Sequence, residues 1–164
     1  MTKKQKIIKL MKKIILAAAM MLGFAVAASA QPRAIGLRIG NGGEVSYQHQ
    51  LGSNFVEVDA GLEYEFGVGD FNVGVSGIYN FEIFEPDWSD RGSWGLYAGP
   101  GATVGLGIGE SNYFTIGAAG MIGIEYSFWF PLQISFDFRQ TIGVGLGRGF
   151  WAPSSAGVCF RYLF

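Results

Sequence analysis

The chain is poor in the residues on which most catalytic and metal centres depend. Of its 164 residues, one is a cysteine, Cys159, and one is a histidine, His49. A single cysteine forms no disulfide within the chain, so the fold must be held together without one. A Cys/His metal cluster is lacking as well. We therefore predict a buried, inert thiol at Cys159 and neither metal nor cofactor.

Lysine is absent from all but the start of the chain. The six lysines lie within the first 13 residues, whereas residues 31–164 carry six arginines and all 13 acidic residues. The formal charge of that part is therefore 6 − 13 = −7. Phosphate backbones are bound by clustered Lys and Arg, so the composition excludes a nucleic-acid partner.

The chain also lacks an apolar run long enough for a membrane-spanning helix. Ile14 to Ala27 gives 14 apolar or small residues, whereas a spanning helix needs about 20. The run follows the lysine-rich start and precedes Ala28-Ser29-Ala30. This order predicts a secretory signal peptide over residues 1–30, removed from a domain over residues 31–164. A retained membrane anchor is the alternative, which the length of the run disfavours.

What the chain does have is alternation with a period of two, which is typical of β-strands. Between Phe55 and Phe66, apolar residues occupy the even positions, while four acids and a glycine occupy the odd ones between them. Similar runs continue to Phe164, separated by turn residues such as Asn41-Gly42-Gly43. The predicted strands are Ala34–Gly40, Glu44–Gln50, Phe55–Phe66, Phe71–Ile83, Ser93–Val104, Tyr113–Tyr126, Leu132–Ile142 and Ala156–Phe164. They predict an all-β fold, an eight-stranded antiparallel up-and-down transmembrane β-barrel.

Periodicity alone does not distinguish a membrane barrel from a soluble barrel with its faces inverted. The missing lysine is unusual for a water-exposed surface, which mixes charges of both signs. Aromatic residues gather near the predicted strand ends, as at Trp94, Trp151 and Tyr162, where strands of a membrane barrel cross the lipid headgroups. The apolar faces are bulky, whereas the polar faces are rich in Gly and Ser, as a narrow lumen requires. These features favour a transmembrane barrel.

The carboxy-terminal sequence Phe160-Arg161-Tyr162-Leu163-Phe164 resembles the assembly signal of outer-membrane proteins. The resemblance implies that Phe160, Tyr162 and Phe164 are recognised by the barrel-assembly machinery. Residues 94–102, 123–126 and 131–139 are similar to a family of small outer-membrane β-barrel proteins, related in architecture to the OmpA and OmpX barrels. This family implies the location and the fold but no established activity; Gln140 departs from it, where the family has Pro.

An eight-stranded barrel has a lumen that side chains can fill. The alternation directs Arg38, Arg139 and Arg161 inward on strands that become neighbours when the barrel closes. The acidic residues predicted to line the lumen are, on the third and fourth strands opposite these arginines, Glu57, Asp59, Glu63, Glu65 and Glu82, and, on the sixth and seventh strands, Glu125 and Asp137. Because arginine pairs with carboxylates through two parallel hydrogen bonds, we predict a salt-bridged interior, with surplus acids at the mouths or protonated. A narrow path for cations is the alternative.

Enzymatic function is not expected. His49 falls on the lipid-facing phase of the second strand, whereas the neighbouring Ser46 falls on the opposite phase, so the two are not placed as a nucleophile and its base. Of the outer loops, predicted over 41–43, 67–70, 105–112 and 143–155, only the last has binding chemistry, and an aromatic anchor at the membrane surface is the favoured interpretation.

The sequence therefore predicts a monomeric protein of the outer membrane of a Gram-negative bacterium, in contact with outer-membrane lipid and lipopolysaccharide. Its expected role is envelope integrity or surface interaction. A narrow cation-selective channel is the second hypothesis, and a soluble periplasmic lipid-binding barrel is the third.

Overall fold

The structure is a computed structural model that describes residues 31–65, 69–108 and 112–164. The predicted signal peptide lies outside the described residues, as do Phe66 and parts of the predicted loops 67–70 and 105–112. The described residues include no helix long and apolar enough to cross a membrane.

All regular structure in the described ranges is β-strand. The strands are β1 (Pro32–Ile39), β2 (Gly42–Leu51), β3 (Asn54–Glu65), β4 (Asp70–Phe84), β5 (Ser93–Ile108), β6 (Tyr113–Ser127), β7 (Leu132–Leu146), β8 (Gly149–Trp151) and β9 (Ser154–Leu163). From β1 to β7 each strand pairs antiparallel with the next, and β9 pairs with both β7 and β1. Pairing of β1 with β9, from Ala34 opposite Leu163 to Ile39 opposite Val158, closes the sheet. The eight long strands thus form a closed antiparallel barrel, and the predicted fold class is confirmed.

Two strands extend four residues further than the sequence analysis predicted. β5 continues to Ile108 and β7 to Leu146, although both extensions alternate with glycines that resemble turn residues. These glycines provide space instead. A Cβ on Gly107 would lie 2.1 Å from the Tyr113 ring, and one on Gly143 would lie 2.1 Å from the Ile116 carbonyl oxygen.

The predicted loop 143–155 was therefore wrong over much of its length. Its first residues belong to β7, and residues 149–151 form the short strand β8. β8 pairs with the end of β7 beyond the last β9 partner, with Trp151 opposite Gly143 and Gly149 opposite Gly145. At this end of the barrel, β8 therefore takes the place beside β7 that β9 occupies along the rest of the strand.

The two faces of the wall have opposite character, as β7 illustrates. Gln133, Ser135, Asp137, Arg139 and Thr141 are buried inside the barrel. The intervening positions point outward, and three of them are large exposed apolar side chains: Phe136, Phe138 and Ile142. The same division holds on the other strands, so the described part of the barrel is apolar outside and polar inside.

A small apolar cluster interrupts the polar interior. It consists of Phe55, Ile78, Tyr97, Ala119 and Met121. The Tyr97 ring meets Phe55 edge-on, with ring centroids 5.2 Å apart. Tyr97 also covers Gly123 on the adjacent strand, where a Cβ would lie 2.4 Å from the phenol.

Candidate functional site

The charged interior of the barrel is the candidate functional site, and its central feature is a carboxylate shared by two arginines. Arg38 Nη1 donates to Glu44 Oε2 at 2.7 Å, and Arg139 Nη2 donates to Glu44 Oε1 at 2.8 Å. Arg38 also donates from Nε and Nη2 to Asp137 Oδ1, at 2.9 and 2.7 Å. Arg139 Nη1 donates to Asp59 Oδ2 at 3.0 Å. The four strands β1, β2, β3 and β7 are thereby joined across the lumen.

Glu63 borders this group from the more accessible side. Its carboxylate lies 3.5 Å from Arg38 Nη1 and 3.1 Å from Arg139 Nη2, and its side chain is 26 % exposed. Both arginines, by contrast, are at most 3 % exposed. Ion pairs this deeply buried need extensive hydrogen bonding to offset the loss of hydration. Arg38 donates from all three of its guanidinium nitrogens, and Arg139 donates from Nη1 and Nη2.

A second group surrounds Arg161, which pairs with Glu57. Arg161 Nε donates to Ser46 Oγ at 2.9 Å, and Nη1 donates to Gln133 Oε1 and Ser135 Oγ at 3.1 and 2.8 Å. Both side chains of the ion pair have no exposed surface. Arg161 on β9 therefore connects across the lumen to β2 and β3.

A third group, around Arg33, was missed by the sequence analysis. Arg33 pairs with Glu125, lies 4.0 Å from Glu82 Oε1, and stacks 4.0 Å above the Phe55 ring. Glu82 and Glu125 were predicted to belong to an ion-pair network with Arg38, Arg139 and Arg161, but the ion pairs they form are with Arg33. The cause is a register irregularity between Pro32 and Ala34, which directs Arg33 inward against the alternation.

The structure places the predicted interior residues inside the barrel and, apart from Glu65, divides them among three groups rather than one. Arg38, Arg139, Glu63 and Asp137 belong to the first group, Arg161 and Glu57 to the second, and Glu82 and Glu125 to the third. Glu44 was overlooked although it is in phase with the buried Ser46 and Gln48. Four interior arginines now face eight acids: Glu44, Glu57, Asp59, Glu63, Glu65, Glu82, Glu125 and Asp137.

The remaining acid, Glu65, belongs to none of the three groups and lies near the end of the barrel where the β7–β8 turn is. Trp151 Nε1 donates to Glu65 Oε1 at 2.8 Å, and Asn72 Nδ2 donates to the same oxygen at 3.0 Å. The sequence analysis favoured an aromatic anchor at the membrane surface for this loop. Trp151 cannot serve as that anchor, because its side chain is 8 % exposed and points into the lumen. The neighbouring Phe150, 78 % exposed, points outward instead.

Arg148 lies outside the lumen at this end. It pairs with Asp70 at the start of β4, and its guanidinium lies 4.6 Å from the centroid of the Tyr113 ring. The hydrogen bond to Asp70 raises the pKa of Arg148 above its ordinary value.

Three potential metal ligands, Glu57, Asp137 and Cys159, lie within 4.8 Å of one another. Each already has a partner. Glu57 pairs with Arg161, Asp137 pairs with Arg38, and the Cys159 thiol donates to Asp137 Oδ2 at 3.2 Å. A cation at this place would have to compete with two guanidinium groups, so the arrangement does not define a metal centre.

The opposite end of the barrel carries the chain terminus and a band of aromatic residues. Phe160, Tyr162 and Phe164 all point outward and are about half exposed or more. Along the neighbouring turns, aromatic rings contact one another in a continuous series: Trp88, Trp94, Tyr126, Phe128, Trp129 and Phe130.

His49 lies beside Tyr47, whose hydroxyl is 3.2 Å from His49 Nδ1. Ser46 is buried on the opposite face, where it contacts Arg161. The structure thus separates these residues as the alternation predicts.

Fold and interior define the class, a closed eight-stranded antiparallel β-barrel with an ion-paired polar lumen. No protein-family model, curated protein or solved structure matches the chain. The barrel is consistent with the small β-barrel family that the sequence resembles.

Proposed function

We propose that this chain is an integral outer-membrane β-barrel protein of a Gram-negative bacterium, of the OmpA and OmpX type. Its role is non-enzymatic: it stabilises the envelope or interacts at its surface. The observation that carries the proposal is the inversion of the faces. Large apolar side chains such as Leu37, Ile122 and Phe136 are about half exposed on the outer wall, while Arg38, Arg139 and Arg161 are buried within.

The apolar outer surface of the barrel is compatible with the hydrocarbon of a lipid bilayer. In water, a contiguous apolar surface over a whole barrel would cause association. In hydrocarbon, the same surface is favourable, and the closed ladder leaves no backbone group unpaired at a sheet edge. The strands β2 to β7 have 10 to 16 residues, enough for the 9–11 that a tilted transmembrane strand needs. The aromatic band at one end fits the headgroup region.

The filled lumen supports a structural role. Three groups of ion pairs and an apolar cluster occupy it, and the cavity near Glu63 has a volume of about 20 Å³, room for one or two water molecules. The partners proposed for this role are outer-membrane lipid and lipopolysaccharide on the outer wall, and the barrel-assembly machinery at the carboxy-terminal Phe160, Tyr162 and Phe164. We also propose a monomer, because the eight long strands all have partners on both sides and, among the described strands, only the three-residue β8 has a free edge.

A narrow cation path is the second candidate, and the excess of eight interior acids over four arginines favours it. Against it, the arginines cross the lumen and hold the acids in pairs. Single-channel recording in a planar bilayer separates the two roles. Discrete conductance steps that disappear in Glu63→Gln or Glu125→Gln would support a channel, whereas silence over the same voltage range would support the structural role. The third hypothesis, a soluble lipid-binding barrel, requires an apolar lumen, and the polar interior argues against it.

The test of the proposal is the electrophoretic mobility of the outer-membrane fraction in SDS, with and without boiling. A closed barrel resists cold SDS and migrates as a compact form, which boiling converts to a slower one. A truncated chain ending at residue 153 is the control, because without β9 it cannot close and should show no shift. A full chain recovered from the soluble periplasm would refute the membrane location, whatever its mobility.

A further inference from the structure

Residues 147–155, which we call the strap, leave the end of β7, form β8 and return to the wall in β9. The strap makes side-chain contacts with strands that are not its neighbours in the sheet. Trp151 reaches Glu65 on β3, and Arg148 reaches Asp70 on β4 and the Tyr113 ring on β6. These contacts extend across the mouth of the barrel from β7 to the far wall.

The strap also contacts the β1–β2 turn. Asn41 Nδ2 donates to the Ser154 carbonyl oxygen at 2.8 Å. On the β7 side, the Pro153 carbonyl oxygen accepts from the Thr141 backbone N–H at 3.0 Å and from Gln140 Nε2 at 3.1 Å. The strap is therefore fastened around the rim of the mouth.

A cavity of about 20 Å³ lies beneath the strap. Trp151, Pro153 and Ser155 of the strap contribute to its lining, and the wall contributes Glu63, Thr103 and Arg139. Arg139 belongs at the same time to the ion pairs that cross the lumen below. The strap thus lies over part of this polar cavity, and the ion pairs of Arg139 border the cavity on the side of the lumen.

The strap has the backbone of a hinged segment. Gly147 and Gly149 have φ values of +93° and +99°, and nothing lies within 4 Å of a Cβ built on either residue. Glycine is thus required there for its backbone conformation rather than for space. β8 pairs with β7 over three residues only, and local opening is easiest where few backbone hydrogen bonds must break.

We propose that the strap is a hinged cover, closed by the Trp151–Glu65 hydrogen bond, whose local opening exposes the lining of the cavity to water and to small reagents while the ion pairs below keep their partners. A hydrogen bond to a carboxylate is stronger than one between neutral groups. It is also the contact that draws an indole ring into the polar lumen. This role does not depend on the membrane location, because the cover and the cavity consist of residues of this chain alone.

The experiment measures how fast a cysteine in the cavity reacts with a cationic methanethiosulfonate reagent. The native thiol is removed by Cys159→Ser, and Thr103→Cys places a thiol in the cavity lining. In the full chain refolded in micelles, we expect slow labelling of this parent. Trp151→Ala, which removes the latch, should accelerate labelling tenfold or more. Phe150→Ala is the matched control, since Phe150 lies in the same short strand but points outward, and it should leave the rate unchanged.

Each other outcome overturns the proposal. Fast labelling of the parent would mean that the strap covers nothing, and equally slow labelling after Trp151→Ala would mean that it does not open. Equal acceleration by Phe150→Ala would mean general loosening rather than a latch. If Trp151→Ala no longer forms the compact, heat-sensitive species, Glu65→Gln decides, because it retains the ring and removes only the acceptor charge. Severalfold faster labelling is then expected, and an unchanged rate would refute the latch.

Discussion

Replacing Arg139 by Met tests whether the interior ion pairs hold the barrel together. The change keeps much of the side-chain volume but removes the donors to Glu44 and Asp59. Glu44 retains Arg38 as a partner, at 2.7 Å. Asp59, by contrast, is left without a hydrogen-bond partner in the variant. Its Oδ1 has none in the native protein, and its Oδ2 loses the bond to Arg139. The loss is therefore the cost of one buried, uncompensated carboxylate, about 3–5 kcal/mol in the free energy of unfolding.

Urea unfolding of the protein in phospholipid vesicles, followed by tryptophan fluorescence, measures this loss. Arg91→Ala is the control, since Arg91 lies in an exposed turn and its removal should leave the midpoint unchanged. The double variant Arg139→Met, Asp59→Asn should recover a large part of the loss, because the amide carries no charge to desolvate. If the double variant is as unstable as Arg139→Met alone, the stranded charge is not the cause and the reasoning fails.

Three further outcomes are expected. Gly123→Ala should lower the free energy of unfolding by about 1–3 kcal/mol, because the new Cβ would collide with the Tyr97 ring. Gly120→Ala on the same strand should be neutral, since a Cβ there meets nothing within 4 Å. Equal losses of the two variants in urea titrations would contradict this prediction. Cys159, fully buried, should not react with Ellman's reagent until the protein is boiled in SDS, and reaction in the folded state would exclude an inert thiol. Phe164→Ala should reduce the amount of barrel in the outer membrane. It should not change the stability of protein refolded in vitro, since the ring is 67 % exposed. An equal fall in the amount and in the stability would instead assign the Phe164 ring a packing role.

Alternation predicted most of the barrel because each wall residue faces either the lumen or the exterior, and the two sides differ sharply in polarity. Arg38, Arg139 and Arg161 could thus be assigned to the lumen, and closure of β1, β9 and β7 brought them side by side. Glu44 could have been assigned to the lumen in the same way, because it alternates in phase with Ser46 and Gln48. It was missed because it is the first residue of a short predicted strand.

Arg33 and Trp151 could not be assigned by alternation. Arg33 turns inward at a register irregularity that no residue pattern marks. Trp151 lies in a three-residue strand, too short for a periodicity to be recognised, and its direction is set by Glu65 on the opposite wall. Glycine did not reveal where strands end. In β5 and β7 it makes room for the Tyr113 ring and for the adjacent strand, whereas elsewhere in the chain glycine occupies turns.

The ion pairs of the lumen connect residues that are far apart along the chain. Arg38 and Asp137 are separated by 99 positions, Arg139 and Glu44 by 95, and Arg161 and Glu57 by 104. A partly assembled sheet that lacks its last strands holds the acids of β2 and β3 without the arginines of β7 and β9. Such an intermediate cannot enter hydrocarbon cheaply, because its charges still need hydration. In the membrane location proposed above, insertion and ring closure are therefore coupled, and the charges of the lumen delay the passage of the chain into the bilayer until the first and last strands have met.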